Sequence, residues 1–188
     1  MRTLKLSIPE IRLFTPLMHR DDRGYFVENF RQDKFDIAVG NPTFFVQENY
    51  SFSKNQYTVR GLHAQFAPHA QGKLVRCVRG KIRDVAVDVR PGSASFGRSV
   101  MVDLSAADAT MLWVPEGFLH GFITLEADTE VSYKCTNYFA PEYAINVNWQ
   151  DQDLDLDWGV DPAKAILSEK DQNAQSFKEF ELQFGDRA

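Results

Sequence analysis

The 188-residue chain, with 44% hydrophobic and 25% charged side chains, has an ordinary globular composition. It is long enough for one domain that buries about two-thirds of the surface its unfolded form would expose. A net charge of −5 without blocks of like charge leaves no electrostatic footprint for nucleic acid. No apolar stretch approaches the roughly 18 residues of a membrane-spanning helix.

The segment Met1 to Pro9 lacks the apolar core and small-residue cleavage site of a secretory signal. Cys77 and Cys135 lack metal-type spacing, so both are expected to be reduced and partly buried in a cytoplasmic protein.

Taken in chain order, a short helical pattern covers Gln32–Val39 and stops at Gly40 and Pro42. Alternating, β-branched or aromatic runs recur from residue 24 to residue 149. The clearest are Phe44–Tyr50, Lys73–Val78, Lys81–Val89, Ser99–Leu104, Met111–Val114, Gly117–Leu125 and Glu130–Asn137. A second helical pattern starts at Ser168. Short, closely spaced strands predict one all-β domain over residues 1–188, a sandwich or barrel of antiparallel strands with a few short helices. The segment from Leu74 to Val89 reads as a hairpin turning at Arg79-Gly80. In that register Val75 faces Asp84, Lys73 faces Ala86, and Val85, Val87 and Val89 point the opposite way from the charged residues.

Chemistry concentrates in Arg60-Gly61-Leu62-His63 and, ten residues on, Lys73: an anion ligand, a candidate base and a cation. Histidine is scarce, with four copies. His120 lies in Pro115-Glu116-Gly117-Phe118-Leu119-His120-Gly121-Phe122, where strand alternation puts Phe118, His120 and Phe122 on one face. This Pro-x-Gly-x-x-His pattern resembles the second signature of the cupin barrels. Many cupins bind metal through a His-x-His pair, which here reads His63-Ala64-Gln65, so a metal centre is not expected.

Tyr133 alternates with Val131 and Cys135, whereas Tyr138 falls on the other face unless the strand bends. A buried phenol beside a cation suits a proton donor; a core tyrosine with its hydroxyl at the edge has the same pattern. Asp171, three residues after Ser168, suits a helix cap or a carboxylate that orients a histidine. Asp84 is the rival carboxylate for that second role.

The chain resembles the dTDP-4-dehydrorhamnose 3,5-epimerase family. The resemblance rests on an ordered set: Asp22-Arg23-Gly24-Tyr25-Phe26-Val27-Glu28, Phe45-Val46-Gln47-Glu48-Asn49, Arg60-Gly61-Leu62-His63 and Gln71-Gly72-Lys73-Leu74-Val75-Arg76. It continues through Asp84-Val85-Ala86-Val87-Asp88, Ser93-Ala94-Ser95-Phe96-Gly97, the segment around His120, Tyr133-Lys134-Cys135-Thr136 and Leu167-Ser168-Glu169-Lys170-Asp171.

The resemblance implies a double-stranded β-helix, the jelly-roll or cupin barrel, that forms a homodimer and uses neither metal nor other cofactor. It implies a dTDP-linked 4-keto-6-deoxyhexose as substrate. His63, oriented by Asp171, would be the base, Lys73 the enolate stabiliser and Tyr133 the proton donor. Arg23, Phe26, Glu28, Gln47, Asn49, Arg60, His120, Tyr138 and Lys170 would contact the nucleotide or sugar, partly across the dimer. Two positions depart from the family pattern: Ala64 replaces an aromatic residue and Ala144 an acidic one. A sibling that epimerises only C3 or C5, a metal-dependent cupin and a non-catalytic sugar-nucleotide binder are the competing readings.

Overall fold

The computed structural model describes residues 1–184. Among the described residues the strands are β1 (Arg2–Lys5), β2 (Arg12–Thr15), β3 (Met18–Asp21), β4 (Gly24–Val27), β5 (Gln47–Ser53), β6 (Val59–Gln65), β7 (Lys73–Arg79), β8 (Lys81–Asp88), β9 (Ser99–Ser105), β10 (Met111–Val114), β11 (Phe118–Thr124), β12 (Thr129–Cys135) and β13 (Ala144–Asn146). The helices are α1 (Gln32–Val39), α2 (Glu169–Gln172) and α3 (Phe177–Phe184). Two antiparallel sheets face each other, one ordered β1-β2-β10-β7-β12-β5 and the other β13-β6-β11-β8-β9; β3 and β4 form a separate hairpin. This is the jelly-roll barrel of the cupins, with short helices added. No helix among the described residues is long and apolar enough to cross a membrane.

Three apolar clusters explain why these strands are so rarely half-polar. Val75, Cys77, Ile82, Ala86, Leu112, Phe118, Phe122 and Val131 fill the space between the sheets. Leu62, Ala64, Val85, Val87, Val89, Leu119 and Ile123 point outward from the five-stranded sheet, where Trp149, Trp158, Phe177 and Phe180 of the C-terminal segment cover them. On the outer face of the six-stranded sheet, Phe14, Leu74, Met111 and Trp113 pack under Phe35 of α1. Burial on both faces makes β11 apolar along almost its whole length.

Helix α1 has the bounds expected from sequence. Gly40 adopts φ 90° and its N–H closes on the Asp36 carbonyl at 2.8 Å, an end that a Cβ-bearing residue enters only with strain. Arg12 donates to the last carbonyls of this helix, those of Ala38 and Val39. Phe35 anchors the helix, its ring centroid 5.0 Å from Phe14 and 5.2 Å from Trp113. The helical pattern from Ser168 resolves into α2 and α3, separated at Asn173.

The hairpin reading of Leu74–Val89 is wrong. β7 pairs with β10 and β12, whereas β8 pairs with β11 and β9 in the other sheet. Val75 stands opposite Leu112 and Tyr133, and Lys73 opposite Val114 and Cys135. Arg79-Gly80 is therefore a corner at which the chain changes sheet. Gly80 has φ 78°, and a Cβ there would collide with the Thr129 side chain. A two-residue turn between two alternating strands is locally indistinguishable from such a corner; distant strands that fill both edges of each strand decide it. The division of faces survives: Val85, Val87 and Val89 point outward, and Asp84 and Ala86 point into the barrel.

Candidate active site

Between the sheets lies a cavity of about 350 Å³, within the ordinary range for a small-molecule site. The five-stranded sheet contributes Arg60 and His63 from β6 and His120 and Phe122 from β11. The six-stranded sheet contributes Ser51 from β5, Lys73 from β7 and Tyr133 from β12. The segment around α2 adds Ile166, Leu167, Ser168, Lys170 and Asp171.

Arg60 and His63 are three residues apart, and strict alternation would send them to opposite faces of β6. A bulge prevents this: His63 pairs with His120 and Arg60 with Phe122, so β6 has one residue more than β11 over this interval. Gly61 makes the bulge possible. It adopts φ 132°, and a Cβ on it would lie 2.5 Å from Gly121 Cα and 2.9 Å from the His120 carbonyl oxygen. Gly121 is equally constrained, since its own Cβ would lie 2.9 Å from the Arg60 carbonyl. The two glycines let the backbones touch, and the extra residue turns both the guanidinium and the imidazole into the cavity.

His63 Nε2 lies 2.6 Å from Asp171 Oδ1. The other carboxylate oxygen accepts from the Ser168 hydroxyl at 2.8 Å, and Ser168 Oγ caps α2 by accepting from the Asp171 N–H at 3.2 Å. Asp171 thus belongs to a helix cap and to a histidine pair at once, and the cap holds the carboxylate still for the imidazole. The second candidate carboxylate, Asp84, pairs instead with His120, Nε2 to Oδ1 at 2.8 Å. Asp84 is completely buried, and its Oδ2 has no hydrogen-bond partner among the described residues.

The electrostatics favour a neutral base. Burial pushes the His63 pKa below its usual value, against the upward pull of Asp171. Burial alone would raise Asp171, but the hydrogen bonds from His63 and Ser168 and the charge of Lys170 bring it below the ordinary carboxylate range. With Asp171 ionised, His63 Nε2 is the donor to it, which leaves the imidazole lone pair on Nδ1. Lys73 lines the cavity, and desolvation depresses its pKa, with Cys135 and Asp84 opposing. Burial raises Tyr133, with Asn49 and Arg60 pulling it down. Arg60 is held by Ser53 Oγ at 3.2 Å and by the Phe52 carbonyl at 3.1 Å.

Of the residues singled out from sequence, His63, Lys73, Tyr133, Asp171, Arg60, His120 and Lys170 converge on this cavity. Gln47 and Asn49 sit beside it on β5, joined to each other at 2.9 Å. Arg23, Phe26, Glu28 and Tyr138 are elsewhere. Arg23 is 90% exposed and bound to Asp21, Phe26 is 71% exposed on the β3–β4 hairpin, and Glu28 pairs with Lys34 at 2.7 Å. Tyr138 lies exposed beyond the end of β12.

Ala64 faces the outer apolar cluster, so its departure from the family pattern leaves the cavity wall unaltered. Ala144 lies on β13 in a shallow depression shared with Asn146 and Lys170. Sequence reasoning missed Ser51, Thr58 and Ile166 in the cavity wall and Ser53 behind Arg60. Nothing in their local pattern distinguishes them. Among the described residues no three His, Cys, Asp or Glu side chains gather to hold a metal ion.

Comparison with known proteins places this geometry. The family model described as dTDP-4-dehydrorhamnose 3,5-epimerase matches residues 5–179. A protein of that name from Shigella flexneri is 44% identical over 177 residues, covering 94% of this chain and 96% of the relative. The crystal structure of dTDP-4-dehydrorhamnose 3,5-epimerase from Elizabethkingia anophelis superimposes with a TM-score of 0.91 at 42% identity, covering 95% of this chain and 97% of that one. A Legionella pneumophila dTDP-6-deoxy-D-glucose-3,5-epimerase, solved in complex with dTDP-4-keto-L-rhamnose, gives 0.91 at 36% identity, with 97% and 95% covered. A match that runs from β1 into α3 takes in every wall of the cavity, and on that ground the chain belongs to the dTDP-4-dehydrorhamnose 3,5-epimerase family.

Proposed function

We propose that the protein converts dTDP-4-dehydro-6-deoxy-D-glucose to dTDP-4-dehydro-L-rhamnose by inverting C3 and C5. The observation that carries this reading is the opposition of His63, paired with Asp171, and Tyr133 across one cavity that also contains the Lys73 ammonium. The C4 ketone acidifies the protons on C3 and C5. Neutral His63 removes a proton from one face of the sugar, and Asp171 stabilises the imidazolium that forms. Negative charge moves to the C4 oxygen, where Lys73 offsets it. Tyr133 delivers a proton to the opposite face of the same carbon, inverting it; His63 then releases its proton to solvent and the Tyr133 phenolate takes one from solvent, and the cycle repeats at the second carbon. Arg60 and Lys170 supply positive charge for the diphosphate, and His120, fixed by Asp84, supplies a hydrogen bond to the sugar.

Incubation with dTDP-4-keto-6-deoxyglucose in D2O tests the reading. Deuterium at both C3 and C5 by NMR, trapped as dTDP-L-rhamnose by a coupled reductase, is the expected result. Label at one carbon only would make the protein a mono-epimerase, and none at either would overturn the enzymatic reading.

A homodimer is part of the proposal. The β3–β4 hairpin carries exposed Arg23, Tyr25 and Phe26, and the edge strand β5 exposes Tyr50 and Phe52. Exposed aromatics at an unpaired sheet edge and on a projecting hairpin suit a symmetric interface that brings Arg23, Phe26 and Glu28 to the neighbouring cavity. Sedimentation is expected to give twice the chain mass; a monomer at assay concentration would remove these three residues from the site.

A further inference from the structure

The segment that carries Asp171 lies outside both sheets. Ahead of it, Ile166 is tied to the start of β6 through the backbone: its N–H donates to the Tyr57 carbonyl and its carbonyl accepts from the Val59 N–H, both at 2.9 Å. Asp171 itself sits on α2, which at four residues is too short to hold its shape by helical hydrogen bonds alone. The Asp171 N–H is shared between the Ser168 carbonyl at 3.1 Å and Ser168 Oγ at 3.2 Å, so the turn keeps a backbone acceptor without the side chain. The hydroxyl hydrogen of Ser168 has a different use. There is one such hydrogen, and it goes to Asp171 Oδ2 at 2.8 Å. Oδ1 meets His63 Nε2 at 2.6 Å on the other side of a residue only 5% exposed. Among the described residues, His63 and Ser168 are the side chains that hold the two oxygens. With one of them gone, the carboxylate can turn about its Cβ–Cγ bond.

We propose that Ser168 is a positioning residue: its hydroxyl pins the far oxygen of Asp171 so that the near oxygen stays on His63. The imidazole is thereby fixed with its lone pair toward the sugar. This rests on the reading of His63 as the base. Without the hydroxyl, Asp171 spends part of its time turned from the ring, and the orientation of the imidazole and the stabilisation of the imidazolium weaken together.

Ser168→Gly separates this role from capping, because glycine serves as an N-cap almost as well as serine but has no hydroxyl to donate. Ser168→Thr keeps the hydroxyl, and the exposed site has room for the added methyl. For Ser168→Gly, kcat is expected to fall about 10-fold, the low end for a hydrogen bond to a charged group, with KM close to the parent value. His63, titrated by NMR in the intact protein, is expected to protonate at lower pH than in the parent, since burial lowers its pKa and Asp171 is what opposes that. Ser168→Thr should match the parent in both respects. In an Asp171→Asn background, Ser168→Gly should cost nothing further. The proposal is overturned if the His63 titration is unchanged or moves up in Ser168→Gly, if Ser168→Thr shows the same defect, or if Ser168→Gly costs as much on top of Asp171→Asn as it does alone. A lowered urea midpoint with the titration in place would make Ser168 a helix cap only. The titration does not depend on turnover, so absence of deuterium wash-in by the parent enzyme would refute the proposed function and leave this hydrogen bond to be judged by NMR.

Discussion

Replacing His63 by asparagine is expected to lower turnover by about 10³-fold, within the range for loss of a general base. Affinity for dTDP should stay near the parent value. The shorter amide gives up the 2.6 Å contact that Nε2 makes with Asp171 and has no basic lone pair, while the α2 cap, made between Ser168 and Asp171, does not depend on the imidazole. The pH dependence gives a second check. Because burial lowers the His63 pKa, the acid limb of kcat/KM should fall below pH 6.5, the ordinary value for histidine.

Asp171 pulls that pKa upward, so Asp171→Asn should move the limb to still lower pH. It should also slow the reaction, since an amide can donate to Nε2 and place the ring proton on the wrong nitrogen. Asp84→Asn, acting on His120, should leave the limb in place. A limb that moves with Asp84 and not with Asp171 would break the assignment of base and orienting acid, as would near-normal turnover by His63→Asn.

The second large effect is expected from Lys73→Met. An ammonium held against the enolate oxygen in a dry site is worth about 3–4 kcal/mol, so kcat should fall about 10²–10³-fold while KM changes little. That division follows because the negative charge on the C4 oxygen develops only on the way to the enolate. Lys73→Arg restores the charge but not the compact geometry and should recover part of the rate. Because the Lys73 pKa is depressed by burial, the alkaline limb of the parent enzyme should lie below the ordinary lysine range and move up in the arginine variant. Lys73 also offsets the buried Asp84 carboxylate. The folded fraction of the methionine variant should therefore be verified by urea melting before its kinetics are read. A normal kcat with a raised KM would show that Lys73 binds the ground state and does not stabilise the enolate.

Much of this protein was legible in the chain because the relevant physics is local. The limits of α1 follow from Gly40 and the apolar spacing around Phe35, and the solved helix has those limits. Strands such as Met111–Val114 and Ser99–Ser105 show β-branched or apolar runs between turn residues, and their observed ends agree to within a residue. The strand that carries Arg60 and His63 was not legible. Its bulge breaks the alternation by which a strand is recognised, and the bulge exists because Gly121, sixty residues away, lets Gly61 approach. Local pattern likewise placed Asp84 and Ala86 on the opposite face from the valines but misplaced the partners of β7 and β8. Which sheet a strand joins depends on strands from β9 to β12 that no window around Gly80 contains.

For the site, the chain alone supplied the chemical inventory: two histidines, two candidate carboxylates, a lysine and a tyrosine in an ordered set of segments. Only the tertiary structure decided the pairings. His63 finds Asp171 across 108 residues and His120 finds Asp84 across 36, and neither spacing favours one match over the other. Residue types determine which protons can be given or taken. Which group receives them is determined by the close packing of strands distant in sequence, and that is a property of the folded barrel alone.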